Sequence, residues 1–258
     1  MYECAMSNAA NDQPFWHLDD GFSLFVGPLQ RNKLHAHATA VFLAGVYGPF
    51  RLRIDRSDWQ TCRTAVIPAG VAYEFDLAGQ PLAVLYLEPD LAGPHALMRL
   101  LDDQSVESGA VLGQNGQFAL MREIYEDRNS GDWASRALTD LISFSGRAAC
   151  KDIDPRMAKV VKELSAGPQE SLPLQDYARS VGLSASRFQH LFTATVGVPF
   201  RRYRSWHRLR TAIRSIVAGS NFTNAAHEAG FCDQAHFAKC FHKTFGAPAS
   251  PTLKNVRP

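Results

Sequence analysis

The chain has 258 residues, 46 % of them apolar, with 27 Lys+Arg against 25 Asp+Glu for a formal net charge of +2. That length and composition allow two domains with cores of their own. They argue against a membrane-spanning or secreted protein: no stretch approaches 18 uncharged apolar residues, and MYECAMSNAANDQPFW lacks a basic region followed by an apolar run. Five scattered cysteines, Cys4, Cys62, Cys150, Cys232 and Cys240, are an odd number that fits a reducing cytoplasm better than a disulfide framework.

The small net charge hides a split. Residues 155–258 carry 15 Lys+Arg against 5 Asp+Glu, a balance of +10, whereas 1–154 carry 12 against 20, a balance of −8. This is the asymmetry expected when one domain meets a polyanion and the other does not. The basic residues have no Trp/Leu-rich interfacial stripe beside them, so nucleic acid is favoured over a membrane.

In chain order, 22–29, 37–46, 49–55, 64–70, 72–77 and 82–89 read as short strands, separated by Gly48-Pro49, Pro68-Ala69-Gly70 and Gly79-Gln80-Pro81. Strands at this spacing suggest a small β barrel or jelly roll. Helical patterns follow at 90–103, 115–127 and 132–146. Their apolar stripes, such as Phe118, Met121, Ile124 and Tyr125, suit either a cap on the barrel or a dimer seam, which leaves monomer or homodimer open. The expected domains are 1–146 and 155–258, joined by a linker at 147–154 with Asp154-Pro155 opening the next helix.

The stretch GFCDQAHFAKCFHKTFG, 230–246, crowds Cys232, His236, Cys240 and His242 together. Zinc is the first thought, but on one helix eight residues separate the cysteines by about 12 Å, too far for two bonds of about 2.3 Å each. The helical wheel instead sorts Phe237, Phe241 and Phe245 onto one face and Ala235, His236, Lys239, His242 and Lys243 onto the other. With a short helix at 222–229 and a turn at Gly230, the outline is a helix-turn-helix. Two helices joined by a glycine turn occur in many cores, so one copy says little. A second copy stands at 182–197: Gly182 matches Gly230 at an offset of 48, and Phe188, Phe192 and Gly197 match Phe237, Phe241 and Gly246 at 49. Its outward face carries Ser186, Arg187, Gln189, His190 and Thr193. Two units suggest a paired module rather than a solenoid. Between them, 199–219 is a helical run holding Arg201, Arg202, Arg204, Arg208, Arg210 and Arg214 with no acidic residue, which suits phosphate contact.

Ala178, Gly182, Ser184, Phe188, Phe192 and Gly197, then Arg208, Leu209 and Ala212, then Ala226, Gly230, Phe231, Phe237, Phe241 and Gly246 together resemble the DNA-binding domain of the AraC/XylS family of transcription regulators. The resemblance covers about the last hundred residues. It implies two helix-turn-helix units bridged by one long helix, with recognition helices in successive major grooves about 34 Å apart. Carried across by position, Ser186, Arg187, Gln189 and His190 in the first unit and Gln234, Ala235, His236 and Lys239 in the second would face bases; the helical wheels add Thr193 and Lys243 to the expected DNA contacts, and the arginine-rich helix adds Arg201 on phosphate. RNA polymerase is left open as a protein partner. The tail departs from the family: GAPASPTLK, 246–254, has Pro248 and Pro251 where the final short helix belongs, and no helix is expected there.

The N-terminal strands resemble the cupin sensor domain that often precedes such a DNA-binding domain, so the fold class expected is two-domain α+β: a cupin-like barrel with accessory helices, then an all-α double helix-turn-helix. His35-Ala36-His37 stands where the first cupin metal motif would be and Pro68-Ala69-Gly70 where the second begins. Tyr73 replaces the histidine of the pattern, and neither Val41 nor Phe42 is its glutamate. Two donors leave a metal site incomplete. No metal or cofactor is therefore assigned, and His35, His37, Phe42, Tyr73 and Tyr86 become candidates for a small-molecule pocket, with Phe75 as a further wall. Arg51 and Arg53 could meet an anionic ligand, although alternating charge on a solvated strand is the commoner explanation.

The leading expectation is a ligand-responsive, sequence-specific transcription regulator and not an enzyme. The alternative is a cupin-type metal-dependent enzyme or metal sensor fused to DNA-binding helices. A methyl-accepting repair protein ranks last, because no cysteine sits in an activating motif.

Overall fold

The structure, a computed structural model, describes residues 13–91, 94–146, 153–165, 172–254 and 256. Most of the linker assigned to 147–154, together with Cys4 and Cys150, lies outside them. The fold is two-domain α+β. Among the described residues eleven strands come first: β1 (Phe15–Leu18), β2 (Phe22–Pro28), β3 (His35–Ala36), β4 (Ala40–Gly45), β5 (Phe50–Ile54), β6 (Gln60–Cys62), β7 (Thr64–Ile67), β8 (Ala72–Asp76), β9 (Pro81–Leu87), β10 (Leu101–Glu107) and β11 (Ala110–Gly116). They form two antiparallel sheets in the orders β1-β2-β9-β4-β7-β11-β10 and β3-β8-β5-β6.

Burial explains why the central strands are apolar without alternation. In β9 every residue is buried, Leu82, Val84 and Tyr86 toward the second sheet and Ala83, Leu85 and Leu87 toward helices. Those helices are α1 (Pro94–Met98), α2 (Ala119–Glu126) and α3 (Ala134–Gly146). Met121, Ile124 and Tyr125 of α2 and Leu138 and Ile142 of α3 cover the seven-stranded sheet, so the stripes act as a cap.

The helix expected at 90–103 is largely replaced. Among the described residues there only α1 is helical, and Leu101 opens the β10–β11 hairpin, where Ser108 and Gly109 both adopt positive φ in the turn. The charged run of β10 keeps an outer edge strand in water, which a helical wheel cannot distinguish from a polar helix face. Three short strands at the sheet margins, β1, β3 and β6, were also absent from the expected set.

The C-terminal domain is all helix: α4 (Pro155–Ser165), α5 (Leu174–Ser180), α6 (Ala185–Val196), α7 (Phe200–Val217), α8 (Phe222–Glu228), α9 (Gln234–Phe245) and α10 (Ala249–Leu253). Helix α10 corrects the expectation for the tail. Pro251 is its third residue, within the first turn, where an amide has no intrahelical partner to lose. The two domains share one apolar cluster, in which Trp16 and Tyr86 of the strands lie 6.1 and 6.0 Å, centroid to centroid, from Phe245 of α9.

Candidate nucleic-acid interface and interdomain cavity

The helix pairs α5–α6 and α8–α9 are built alike. Gly182 and Gly230 take φ of 69° and 76° in the two turns, a left-handed conformation that costs glycine nothing. The Ser184 hydroxyl then accepts from the Arg187 amide at 3.3 Å, and the Asp233 carboxylate accepts from the His236 amide at 2.7 Å, capping α6 and α9. Phe188, Phe192 and Val196 in one helix, and Phe237, Phe241 and Phe245 in the other, are buried. The opposite faces lie open. Ser186, Arg187, Gln189, His190 and Thr193 on α6, Gln234, Ala235, His236, Lys239 and Lys243 on α9, and Arg201 on α7 are all exposed. Among the described residues none of the cations Arg187, Arg201, Lys239 and Lys243 joins an ion pair. Gln234 also accepts from the Thr223 hydroxyl at 3.2 Å, tying the turn together.

The arginine helix departs from its expected role. Glu88, at the end of β9 and only 1 % exposed, accepts from the Tyr203 hydroxyl at 2.6 Å, Trp206 Nε1 at 2.8 Å and an Arg210 terminal nitrogen at 2.9 Å. Arg210 further donates to the Ser23 hydroxyl and to the carbonyls of Asp19 and Asp20. Arg202 donates to the Ala36 carbonyl, Arg204 to the Leu172 carbonyl, and Arg214 lies 3.8 Å from an Asp20 oxygen. Four of the six arginines thus have partners within the protein, Arg210 as a buried one. Part of the charge split between the two halves of the sequence is complementarity between domains. Nothing in the local pattern marked Glu88 beyond a single carboxylate closing an apolar strand. His207 lies 3.6 Å from it, and burial pushes that imidazole down to about 4.

A second contact joins α9 to the strands. The Lys33 amide donates to the Gly246 carbonyl at 3.0 Å, and the Asn32 side-chain amide donates to the Phe245 carbonyl at 3.4 Å. Above it opens a cavity of about 410 Å³, walled by Trp16, Phe25, Tyr73, Phe75, Tyr86 and Phe245, with Arg31, Lys33 and His242 also lining it. Of the pocket candidates, His35, His37, Tyr73 and Tyr86 line this cavity, but Phe42 does not. It points to the other side of β4, into the cluster beneath α2 and α3, because neighbours on a strand face opposite ways. The cavity also takes residues 245–248, 251 and 252 from the helical domain, so it lies between the domains rather than inside the barrel.

His35 and His37 meet through their Nε2 atoms at 3.1 Å. Burial holds His35 down to about 4 and His37 well below the ordinary histidine value, so both rings are neutral near pH 7. Among the described residues no group of three or more His, Cys, Asp or Glu is placed to hold a metal ion. Arg31, Arg51 and Arg53 surround the Trp59 ring at 5.0 to 5.2 Å, and Arg53 donates to Glu74 at 2.8 Å, which accounts for that charged strand face. No helix of the described residues is long and apolar enough to cross a membrane.

Residues 177–255 match the family described as a helix-turn-helix domain. No curated protein matches the chain by sequence. Among solved structures, ToxT from Vibrio cholerae O395 is 12 % identical with a TM-score of 0.61, over 92 % of this chain and 98 % of that one. ToxT from Vibrio cholerae strain SCE256, bound to an unsaturated fatty acid, is 13 % identical with a TM-score of 0.59, over 92 % and 96 %. ToxT from Vibrio cholerae O395 bound to (E)-4-(8-methylnaphthalen-1-yl)but-3-enoic acid is 13 % identical with a TM-score of 0.61, over 91 % and 99 %. At these identities the likeness is one of fold, and it embraces both domains.

Proposed function

We infer that this chain, whose residues 177–255 form a helix-turn-helix domain of the AraC type, is a sequence-specific DNA-binding transcription regulator controlled by a small molecule in the interdomain cavity. The observation that carries the reading is the pair of capped helices, α6 and α9, each with a buried aromatic face and an exposed polar one. Arg187 and Gln189 in the first unit, and Gln234, His236 and Lys239 in the second, supply donors and acceptors for base edges, while Ala235 lets the backbone approach. Arg201 contributes phosphate attraction, which is indifferent to sequence and weakened by salt. Double-stranded DNA is then the partner of the basic domain.

The cavity supports the second half of the reading. It is largely apolar, cationic at Arg31 and Lys33, and bounded by both domains, so an occupant would change how firmly α9 is held. The ToxT ligands are a fatty acid and a substituted butenoic acid. An organic acid of similar size suits this chain, its carboxylate toward Lys33. A metal-dependent enzyme or metal sensor would need more than the two imidazoles present, and a stoichiometric ion that is lost in His35→Ala would displace the present reading.

The test is selection of DNA from a random pool by the purified chain, with and without cell metabolite extract. Enrichment of two half-sites spaced by one helical turn, altered by the extract, is expected. Retention of every sequence alike would overturn the assignment.

A further inference from the structure

The cavity wall is aromatic, yet it contains three buried polar atoms without a hydrogen-bond partner: Trp16 Nε1, the Tyr73 hydroxyl and His37 Nδ1. Their residues are 2 %, 1 % and 3 % exposed. Native proteins pair almost all such atoms; five others among the described residues also lack a partner, but these three belong to residues that line one cavity, where a ligand can reach them. The three residues line one wall, His37 beside Tyr73 and Trp16 joined to them through Tyr86. The His37 ring is 5.7 Å from Tyr73 and 5.0 Å from Tyr86, and Tyr86 stacks at 6.0 Å on Trp16.

The chemistry of the three atoms narrows what completes them. Trp16 Nε1 only donates, so it needs an acceptor. His37 Nδ1 depends on its neighbours. His35 Nδ1 stands 2.9 Å from the Lys33 carbonyl and 3.0 Å from the Asn32 amide nitrogen, so the His35–His37 pair is satisfied with the proton on either side. His37 Nδ1 is accordingly a bare lone pair in one arrangement and an N–H in the other. A hydroxyl, which donates and accepts, answers both and also serves Trp16 and Tyr73. A second carboxylate would stay largely uncompensated in this corner, since both imidazoles are neutral and the nearby Arg202 guanidinium is engaged by the Ala36 carbonyl. A bare hydrocarbon leaves all three atoms unpaired.

We propose that the effector is an amphiphilic acid that also carries an uncharged alcoholic or phenolic hydroxyl, bound by Trp16, His37 and Tyr73 in the aromatic wall of the cavity. This rests on the effector reading above and goes beyond it, because it separates the ligand of this chain from a plain-chain acid.

Matched probes test it: phenylbutanoate against its para-hydroxyl derivative, and dodecanoate against its terminal hydroxyl derivative, titrated into the full chain by calorimetry. A site built to bond a hydroxyl discriminates against the analogue lacking it, so at least one hydroxylated probe should bind about tenfold or more tightly than its partner. Tyr73→Phe, which removes only the oxygen, should reduce that preference several-fold and leave the affinity of the plain probe within about twofold. A matching melting temperature and unchanged DNA retention show that the variant is folded. Equal affinity within both pairs, or a preference undiminished in Tyr73→Phe, overturns the hydroxyl assignment while leaving the cavity a ligand site. Binding of neither member of either pair overturns the effector reading itself.

Discussion

The two helix-turn-helix units share their construction but not their attachment. Helix α6 of the first ends at Gly197, which only touches the Ala69–Gly70 turn, where an added Cβ would meet the Ala69 side chain at 3.5 Å. Helix α9 of the second ends at Gly246, whose carbonyl is hydrogen-bonded to Lys33 and whose added Cβ would stand 2.3 Å from the Lys33 carbonyl. Phe245 then forms part of the cavity wall. The local sequence signals of the two units are nearly the same, so this asymmetry belongs to the domain contact. Under the proposed function, this asymmetry would place control by a ligand on the second unit and leave the first as a constant DNA contact.

The most disruptive way to break this arrangement is Glu88→Ala, which strands Arg210, Tyr203 and Trp206 without their acceptor. Losing one partner of a buried ion pair costs ~3–5 kcal/mol, so the urea midpoint should fall sharply and the two domains should melt separately. Gly246→Ala sharpens the comparison directly. Left-handed strain and the clash with Lys33 together should cost ~2–4 kcal/mol, against only ~1–2 kcal/mol from strain alone in Gly197→Ala. Equal losses in denaturant unfolding would mean that the two units are attached alike.

On DNA, Arg187→Ala should lose ~1–3 kcal/mol at one half-site and relax its base preference. Arg201→Ala should weaken every sequence alike and lower the salt slope by about one. Binding titrations on operator and scrambled duplexes at several salt concentrations separate the two outcomes.

Acid should loosen both domain contacts. His207 beside Glu88 and His35 beside Gly246 each have a folded pKa near 4 against an unfolded value of 6.5. Below pH 6.5 the unfolded chain takes up these protons and the folded one does not. Stability is therefore complete above that pH and falls toward pH 4, by ~1.4 kcal/mol per pH unit for each histidine at most. A denaturation series from pH 7 to 4 checks the slope, and His207→Gln should flatten it.

Much of the helical domain was legible before any coordinates, because its signals are local. The caps Ser184 and Asp233 and the turn glycines Gly182 and Gly230 act within a few residues of their own position, and the phenylalanines at four-residue spacing declare one buried face. The strands from β2 to β9 could be found by their turns, apart from the short β3 and β6, while the β10–β11 hairpin was hidden because an exposed edge strand carries no apolar rhythm. The candidate site was legible only in part. His35, His37, Tyr73 and Tyr86 were placed together by strand alternation and family likeness, yet Phe42, chosen on the same grounds, faces the other way, since one position along a strand reverses the side chain.

The amino-acid order by itself settled that α6 and α9 form, which of their faces stay wet, and that two such units occur in tandem. It could not settle where the arginines of α7 go, that Glu88 gathers Tyr203, Trp206 and Arg210, or that the cavity takes a wall from each domain. Those outcomes depend on groups more than a hundred positions apart in the chain, such as Glu88 and Tyr203. Only packing of one domain on the other brings them within hydrogen-bonding distance.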